Sequence, residues 1–390
     1  MSISKVGLSV GSIIILLAGL WQWRNDGFKI NVADHKMPIV ISSLFLLSLI
    51  GFFFTENTQG WLDDLRIKLP IALLPLAISI CAPFSKRKVN MVFALYMLGI
   101  IVVAALSIFS AYADYEHLSK RVSQNSSVQV ITSINHIYFG PMLGLAGLLG
   151  INWGLRQDIK ATRIGFIVGG LLAVMLLHLF TSRTGFLAFY AGVGGWILWL
   201  MVRKKAWLWG LGSVALICLL PVIAFYTVPT FKTRVEVTRW DFQQYVAMEK
   251  AQEGGDFSDL TVGLRFVAWK ASYNIWKEQP VMGTGLGDMD QALLDEYARS
   301  GVIAKESQLL TSSHNEYMEY LGGTGVVGLL WLLLVLAWPI SDKSVNSESL
   351  LWIHTAMVAA ACLSESFLER QHGVAFYILF GVFFATLSKK

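Results

Sequence analysis

Three short stretches of this chain carry residue types that handle anions and protons. The first is Ser182-Arg183-Thr184-Gly185, between two long apolar runs. A guanidinium stays charged and offers a planar fork of donors that matches phosphate oxygens. At that position Arg183 reads either as an interfacial residue that snorkels to water or as an anion contact. The second is Gly263-Leu264-Arg265-Phe266-Val267-Ala268-Trp269. Arg265 shares a helical face with Trp269, Ser272 and Trp276. It reads either as a solvated surface residue or as part of an aromatic face that rests on lipid or sugar. The third is Ser312-Ser313-His314-Asn315-Glu316-Tyr317. Ser313 with Glu316 three residues later predicts a capping box and puts His314 at the first helical position. That end of a helix is electropositive, suits an anion, and favours a neutral imidazole able to accept a proton. The other reading is a capping or interfacial histidine. His136 opens a further apolar run and is placed to line the same cavity. His35, His117, His178, His354 and His372 show no metal-ligand spacing.

Two glycine-rich stretches and two acidic pairs complete the inventory. Pro280-Val281-Met282-Gly283-Thr284-Gly285-Leu286-Gly287-Asp288 has no preceding strand, so it reads as a turn between helices and not as a dinucleotide site. Asp288 and Asp290 resemble the paired acids of metal-dependent glycosyl transfer, or they are charges at the start of the next helix; Asp63-Asp64, on another loop, has the same two readings. Gly322-Gly323-Thr324-Gly325-Val326-Val327-Gly328 lies in an apolar run, where small residues let helices approach closely.

The elements that must position these residues are set by composition. Of 390 residues, 55% are hydrophobic and only 15% charged, and the mean hydropathy is +0.57. Soluble chains are nearer 25% charged, and a globule of this size would expose large apolar patches. An ordinary cytosolic enzyme, a disordered chain and a disulfide scaffold are excluded. The formal charge of +5 comes from scattered basic residues, with no nucleic-acid footprint. Cys81, Cys218 and Cys362 sit far apart in apolar runs and read as small core residues.

Spanning helices need about 20 apolar residues. Eleven runs qualify: 6–23, 38–54, 67–84, 89–112, 134–151, 164–181, 185–202, 206–228, 316–338, 350–367 and 373–387. The first has no small-residue cleavage site before Trp21-Gln22-Trp23-Arg24 and reads as a retained span. One set of connections carries fifteen Lys and Arg residues (24, 29, 36, 86–88, 156, 160, 163, 203–205, 343, 389, 390). The opposite short connections carry seven (5, 66, 68, 120, 121, 183, 370). The richer set is expected in the cytoplasm. Ser182-Arg183-Thr184, 229–313 and 365–372 then lie outside, as does the N-terminus.

The chain divides into N-terminal spans (1–228), an outer loop (229–313) and C-terminal spans (314–390). The outer loop predicts helices over about 231–251, Leu264–Trp276 and Asp288–Arg299. In the middle one, Leu264, Val267, Ala268, Ala271 and Ile275 share an apolar face. This is a compact helical cap on the membrane.

In order along the chain, these signals resemble one family. Ser-Arg-Thr-Gly after an outward span, an outer loop with Gly-Leu-Arg, Trp and Gly-Thr-Gly-Leu-Gly, and His-Asn-Glu-Tyr opening a glycine-rich span are similar to the O-antigen ligase/polymerase superfamily of bacterial envelopes. The likeness is specific over about 180–330. It is looser at Asp64-Leu65-Arg66-Ile67-Lys68-Leu69-Pro70 and Ile134-Asn135-His136-Ile137. It implies an all-α polytopic, GT-C-like glycosyltransferase with eleven or twelve spans, in the inner membrane with its site facing the periplasm. It implies transfer of a glycan from undecaprenyl diphosphate to a lipid A–core acceptor, to another lipid-linked glycan, or to protein. Carried over, the family's membrane arginine is Arg183, its loop arginine Arg265 and its histidine His314. His136, Asn315, Tyr317 and Trp269 are the expected substrate contacts, with no cofactor, no metal and no nucleic acid.

Two rivals belong to other classes. A multi-pass lipid or glycan transporter shares the span count, but no internal repeat or pair of broken helices is visible in the sequence. A non-catalytic assembly scaffold would tolerate changes at Arg183, Arg265 and His314.

Overall fold

The computed structural model describes residues 5–27, 31–114, 116, 128–251, 257, 260–302 and 309–388. Lys29, His117, Lys120, Arg121, Lys389 and Lys390 lie outside them. Among the described residues every regular element is helical. The protein is an all-α polytopic membrane protein, as its composition predicts. Among the described residues six helical stretches, one of them Lys36–Phe53, are long and apolar enough to cross a bilayer, and two shorter apolar helices lie near the C-terminus.

Along the chain the helices are α1 (Lys5–Asn25), α2 (Lys36–Ser42), α3 (Leu44–Ile50), α4 (Thr58–Ile80), α5 (Lys86–Ala113), α6 (His136–Gly154), α7 (Lys160–Phe180), α8 (Arg183–Lys204) and α9 (Trp207–Thr227). There follow α10 (Pro229–Ala251), α11 (Val262–Glu278), α12 (Met289–Arg299), α13 (Glu316–Ser341), α14 (Ser349–Ser364) and α15 (Gln371–Leu387). Each of the eleven expected runs holds a helix, with α2 and α3 sharing one. Helix α6 packs between α7 and α8, and α14 lies along α8. Gly140 and Gly185 make the α6–α8 approach possible, since a Cβ on Gly140 would stand 2.9 Å from the Gly185 Cα.

The two sets of connections are each bonded within themselves. At one end Arg156 grips Glu348 (2.6 and 2.9 Å), Asn152 meets Ser349 (2.9 Å) and Asn90 meets Gln157 (3.0 Å). At the other, Ser182 donates to the His136 carbonyl (3.2 Å) and Lys68 pairs with Glu369 (2.6 Å).

The expectation for Asp64 and Lys68 needs correction. The sequence pattern puts both in a short outer connection, with Asp64 either a metal-type acid or a helix-start charge. Helix α4 instead begins at Thr58, so both lie within it. Lys68 is fully buried between Asp64 (2.8 Å) and Glu369 (2.6 Å), with its ammonium 5.3 Å from the Tyr320 ring centre. Ion pairing is what admits these charges to the bundle.

Helices α10, α11 and α12 form the cap. Leu264, Val267, Ala268, Ala271 and Ile275 close on Met289, Leu293 and Tyr297 in a small core of their own. Ser272, expected on the polar face, is also buried, and its hydroxyl donates back to Ala268 O (2.9 Å). The reason is that α11 packs on α13 as well as on α12.

The two glycine-rich stretches, read separately as a turn and as helix packing, meet each other. Helix α13 is broken at Gly325 (φ 64, ψ −165). The backbone of the 280–287 turn bonds into the break: Thr284 N to Gly322 O (3.1 Å), Gly285 N to Gly323 O (2.8 Å) and Val326 N to Pro280 O (2.9 Å). A Cβ at Gly325 would collide with the Val281 carbonyl, and the positive φ disfavours any L side chain.

Two outcomes are expected. Gly325→Ala costs about 1–3 kcal/mol from strain and collision, read as a lower melting temperature and faster proteolysis of the cap. Lys68→Met leaves Asp64 and Glu369 uncompensated and costs about 3–5 kcal/mol. An unchanged melting temperature in detergent would contradict that account of the buried charges.

Candidate functional site

Arg183 opens α8 after a very short turn. Thr181 ends α7 in the left-handed region (φ 57), and Ser182 caps α8 by accepting from Gly185 N (3.2 Å). The same hydroxyl donates to the His136 carbonyl, so the arginine turn is fastened to the start of α6. The neighbouring Thr184 is reached by the Ser364 hydroxyl (3.3 Å) at the end of α14.

Arg265 lies in the first turn of α11, and Asp241 of α10 holds that turn in place. The Asp241 carboxylate accepts from Thr261 N (3.0 Å), Thr261 Oγ1 (3.0 Å), Val262 N (2.7 Å) and Gly263 N (3.1 Å). A carboxylate at a helix N-terminus is favoured both by these donors and by the helix dipole. The Arg265 guanidinium reaches across to α14, donating to the Ser364 carbonyl and to Glu365 Oε2 (3.3 Å).

His314 is not in a helix. The expected capping box does not form, because Asn315 is the N-cap of α13. Its Oδ1 accepts from Tyr317 N (3.0 Å) and Met318 N (3.3 Å). Glu316, the expected partner of Ser313, instead accepts from Leu368 N (2.8 Å). Ser313 donates to Asn315 O (2.9 Å) and Glu319 Oε2 (2.5 Å). Asparagine caps as well as serine does, and the buried Glu316 finds a backbone donor in another segment. His314 therefore precedes the cap, in the left-handed region (φ 49) that non-glycine residues rarely occupy. There its Nδ1 stands 2.6 Å from Glu365 Oε1.

Glu365 thus carries Arg265 on one oxygen and His314 on the other. Burial disfavours its ionised form, but the hydrogen bond and charge of His314, with the charges of Arg265 and Arg370, outweigh it and hold the carboxyl below its ordinary range. A carboxylate at Nδ1 fixes the orientation of the ring and turns Nε2 away from Glu365.

The turn holding His314 is stitched to the 364–369 segment. Glu319 accepts from Ser313 N (2.9 Å) and Ser366 Oγ (3.1 Å), Ser312 Oγ meets Ser366 Oγ (2.9 Å), and Glu316 N donates to Glu365 O (3.2 Å). The span expected over 350–367 ends at Ser364, and that early end frees Glu365 to face the cap.

Of the expected site residues, Arg265 and His314 meet at Glu365, and Arg183 lies within electrostatic reach of Arg265. Trp269 is one turn beyond Arg265. Its ring packs edge-on to Phe266 (5.0 Å), and its buried indole N–H has no hydrogen-bond partner among the described residues. His136 adjoins the arginine turn through its carbonyl. The Asn315 side chain is engaged as a cap, and the Tyr317 hydroxyl donates to Ala359 O (2.9 Å) within α14. Asp288 receives Glu56 N (3.0 Å) and Asn57 N (2.7 Å), which pins the loop before α4.

Two residues in the cluster had not been singled out. Glu365 had one sequence signal, an acid in a loop so short that it must stay near the interface. Arg234 of α10 had none. In the fold Arg234 is buried at 4% exposure. Burial and the neighbouring Arg183 and Arg265 push its guanidinium down to about 9, so it remains charged at neutral pH.

Comparison with known proteins bears on this arrangement. Residues 167–333 match the O-antigen ligase family. That matched O-antigen ligase segment runs from α7 through the cap into α13, and it contains Arg183, Arg234, Arg265 and His314. The superfamily resemblance read from the motifs is borne out by the match. A Haemophilus influenzae protein described as uncharacterized is 27% identical over 247 residues, covering 59% of this chain. The chain spans 58% of that relative's length.

Glu365 ionises more readily in the folded chain than at its ordinary value of 4.5. Its contribution to stability is complete above that pH and is lost as the pH falls through the lower folded value. Melting temperature followed downward from neutral pH is expected to drop more in the native chain than in Glu365→Gln. Parallel curves would mean that the carboxylate is not held as described.

Proposed function

We propose that this protein is an O-antigen ligase, transferring a glycan from undecaprenyl diphosphate to the lipid A–core oligosaccharide at the periplasmic face of the bacterial inner membrane. The observation that carries this reading is the Glu365 carboxylate joining His314 to Arg265 beside Arg183, within a chain whose 167–333 segment matches the ligase family. Orientation follows from the basic residues, with the richer set of loops in the cytoplasm.

The chemistry asks for what these residues offer. An acceptor sugar hydroxyl attacks the anomeric carbon of the donor, the carbon–oxygen bond to the diphosphate breaks, and the hydroxyl proton leaves. His314 Nε2 takes that proton while Glu365 stabilises the imidazolium that forms. The departing electron pair goes to a diphosphate oxygen, where fixed guanidiniums in a poorly hydrated site stabilise it. Arg183 and Arg265 are assigned that task. A single displacement inverts the anomeric configuration. No metal is assigned a part, and Trp269 and His136 are placed as substrate contacts.

With purified protein, lipid-linked donor and acceptor, His314→Ala is expected to lower transfer about 10²–10⁴-fold. Arg183→Ala lowers it comparably, and excess chelator leaves the native rate unchanged. Wild-type transfer by His314→Ala would remove the mechanism. Loss of activity in chelator would restore a metal reading. Substrate flux across proteoliposomes without glycan product would favour a transporter. In a deletion strain, loss of all capped chains with accumulation of free polymer identifies a ligase. A single capped repeat identifies a polymerase, and loss of glycan from protein alone identifies a protein glycosyltransferase.

A further inference from the structure

The break in α13 and the 280–287 turn exchange hydrogen bonds in matched pairs. In an unbroken helix Val326 N and Val327 N would donate to Gly322 O and Gly323 O. At Gly325 the ladder is interrupted. Gly322 O and Gly323 O accept instead from Thr284 N (3.1 Å) and Gly285 N (2.8 Å), while Val326 N and Val327 N donate to Pro280 O (2.9 Å) and Val281 O (3.4 Å). The turn takes up all four groups, and its own Gly283 N donates to Gln279 O (3.0 Å). Water would serve the same groups in a solvated loop. Pairing by protein is what non-helical backbone needs at membrane depth, where an orphaned polar group has no other partner.

The height of the break agrees. Below Gly325 the helix runs on to Ser341, next to the charged Asp342 and Lys343. From Val327 to that end is roughly 21 Å at 1.5 Å per residue. A hydrocarbon core is about 30 Å thick, so Val327 lies roughly 9 Å below the boundary on the cap's side, and tilt lowers it further. Val281, bonded to it, lies at the same level. Val326, Val327, Leu330 and Leu334 are exposed on α13, as Leu49, Ile50 and Phe53 are on α3 and just after it, and Val281 is 57% exposed beside them. The far end of the turn is polar and tied to the loop before α4, through Asp288 and through Gly287 O, which accepts from Asn57 Nδ2 (3.2 Å). Near the tip, Trp276 donates its indole N–H to Pro280 O (3.0 Å) and packs on Tyr273, whose ring carries the Lys277 ammonium at 4.4 Å. An aromatic pair with a lysine folded over it suits the headgroup level.

We propose that the tip at 280–282 is a re-entrant wedge that seats the cap in lipid, with Val281 against the acyl chains of the cap-side leaflet and Tyr273 and Trp276 at its headgroups. The partner is bilayer phospholipid, continuous with the lipid that covers the exposed faces of α13 and α3. The wedge sets the height of α11, which carries Arg265 at its other end. It does not depend on which reaction the site performs.

The test uses the full-length protein in phospholipid nanodiscs. The photoreactive residue benzoylphenylalanine is placed at position 281, irradiated, and the products are read by mass. The same probe at Leu330, on the spanning face, and at Asp295, exposed on α12, gives the two references. A phospholipid adduct at 281, as at 330 and absent at 295, is expected. No lipid adduct at 281, as at 295, would overturn the proposal. A cross-linked dimer would overturn it too, and would make this face a contact between copies of the chain. If the bulky probe lowers the melting temperature, Val281→Cys takes its place in a chain whose native cysteines are alanine, labelled with a nitroxide. Collisions that favour oxygen over a water-soluble nickel chelate, as for Leu330→Cys, are expected. Collisions that favour the chelate, as for Asp295→Cys, would place the tip in water and overturn the wedge.

Discussion

A buried carboxylate shared by a guanidinium and an imidazole is the constraint around which this structure is arranged. Glu365 is ionised in a place that disfavours charge, and it stays so because Arg265 and His314 are both present. Three segments must meet for that to happen: the first turn of α11, the turn before α13 and the residue that follows α14. Each is held by a further set of bonds. Asp241 fixes α11, Glu319 fixes the His314 turn, and Ser312 and Ser366 join that turn to the end of α14.

The same logic extends inward and outward from the site. Behind it, Lys68 is enclosed by Asp64 and Glu369, which anchors the 365–370 segment to α4. Beside it, Arg183 of α8 and Arg234 of α10 lie within electrostatic reach of Arg265. The cap is held in register by backbone bonds into the break of α13 at Gly325, which couple it to the helix that His314 precedes.

Arg183, Arg265 and His314 were legible in the sequence because residue type and position are enough to mark them. An arginine at the edge of an apolar run and a histidine where a polar loop re-enters one stand out without any partner being known. The cap helices were legible from the apolar period of Leu264 to Ile275. Glu365 and Arg234 were not, because their meaning lies in what faces them. Glu365 is 100 positions from Arg265, and nothing local distinguishes it from an ordinary loop acid. The capping box at Ser313 failed for a related reason. Ser313 and Asn315, two positions apart, offered equivalent caps, and the choice fell to Asn315 because Ser313 bonds to Glu319 and Glu316 accepts from Leu368.

The sequence by itself determined the solvent and the architecture. Continuous apolar runs at bilayer length admit only helices whose backbone bonds are satisfied internally, and basic residues sort the loops into two sets. It also determined that three residues suited to phosphate and proton chemistry lie in the loops of one set. The tertiary structure alone decided which side chains share a hydrogen bond, how the imidazole is oriented, which helix breaks and which third arginine joins the cluster. Composition and periodicity are properties of neighbouring residues. Burial, pairing and the direction of a side chain are properties of what the fold brings beside it.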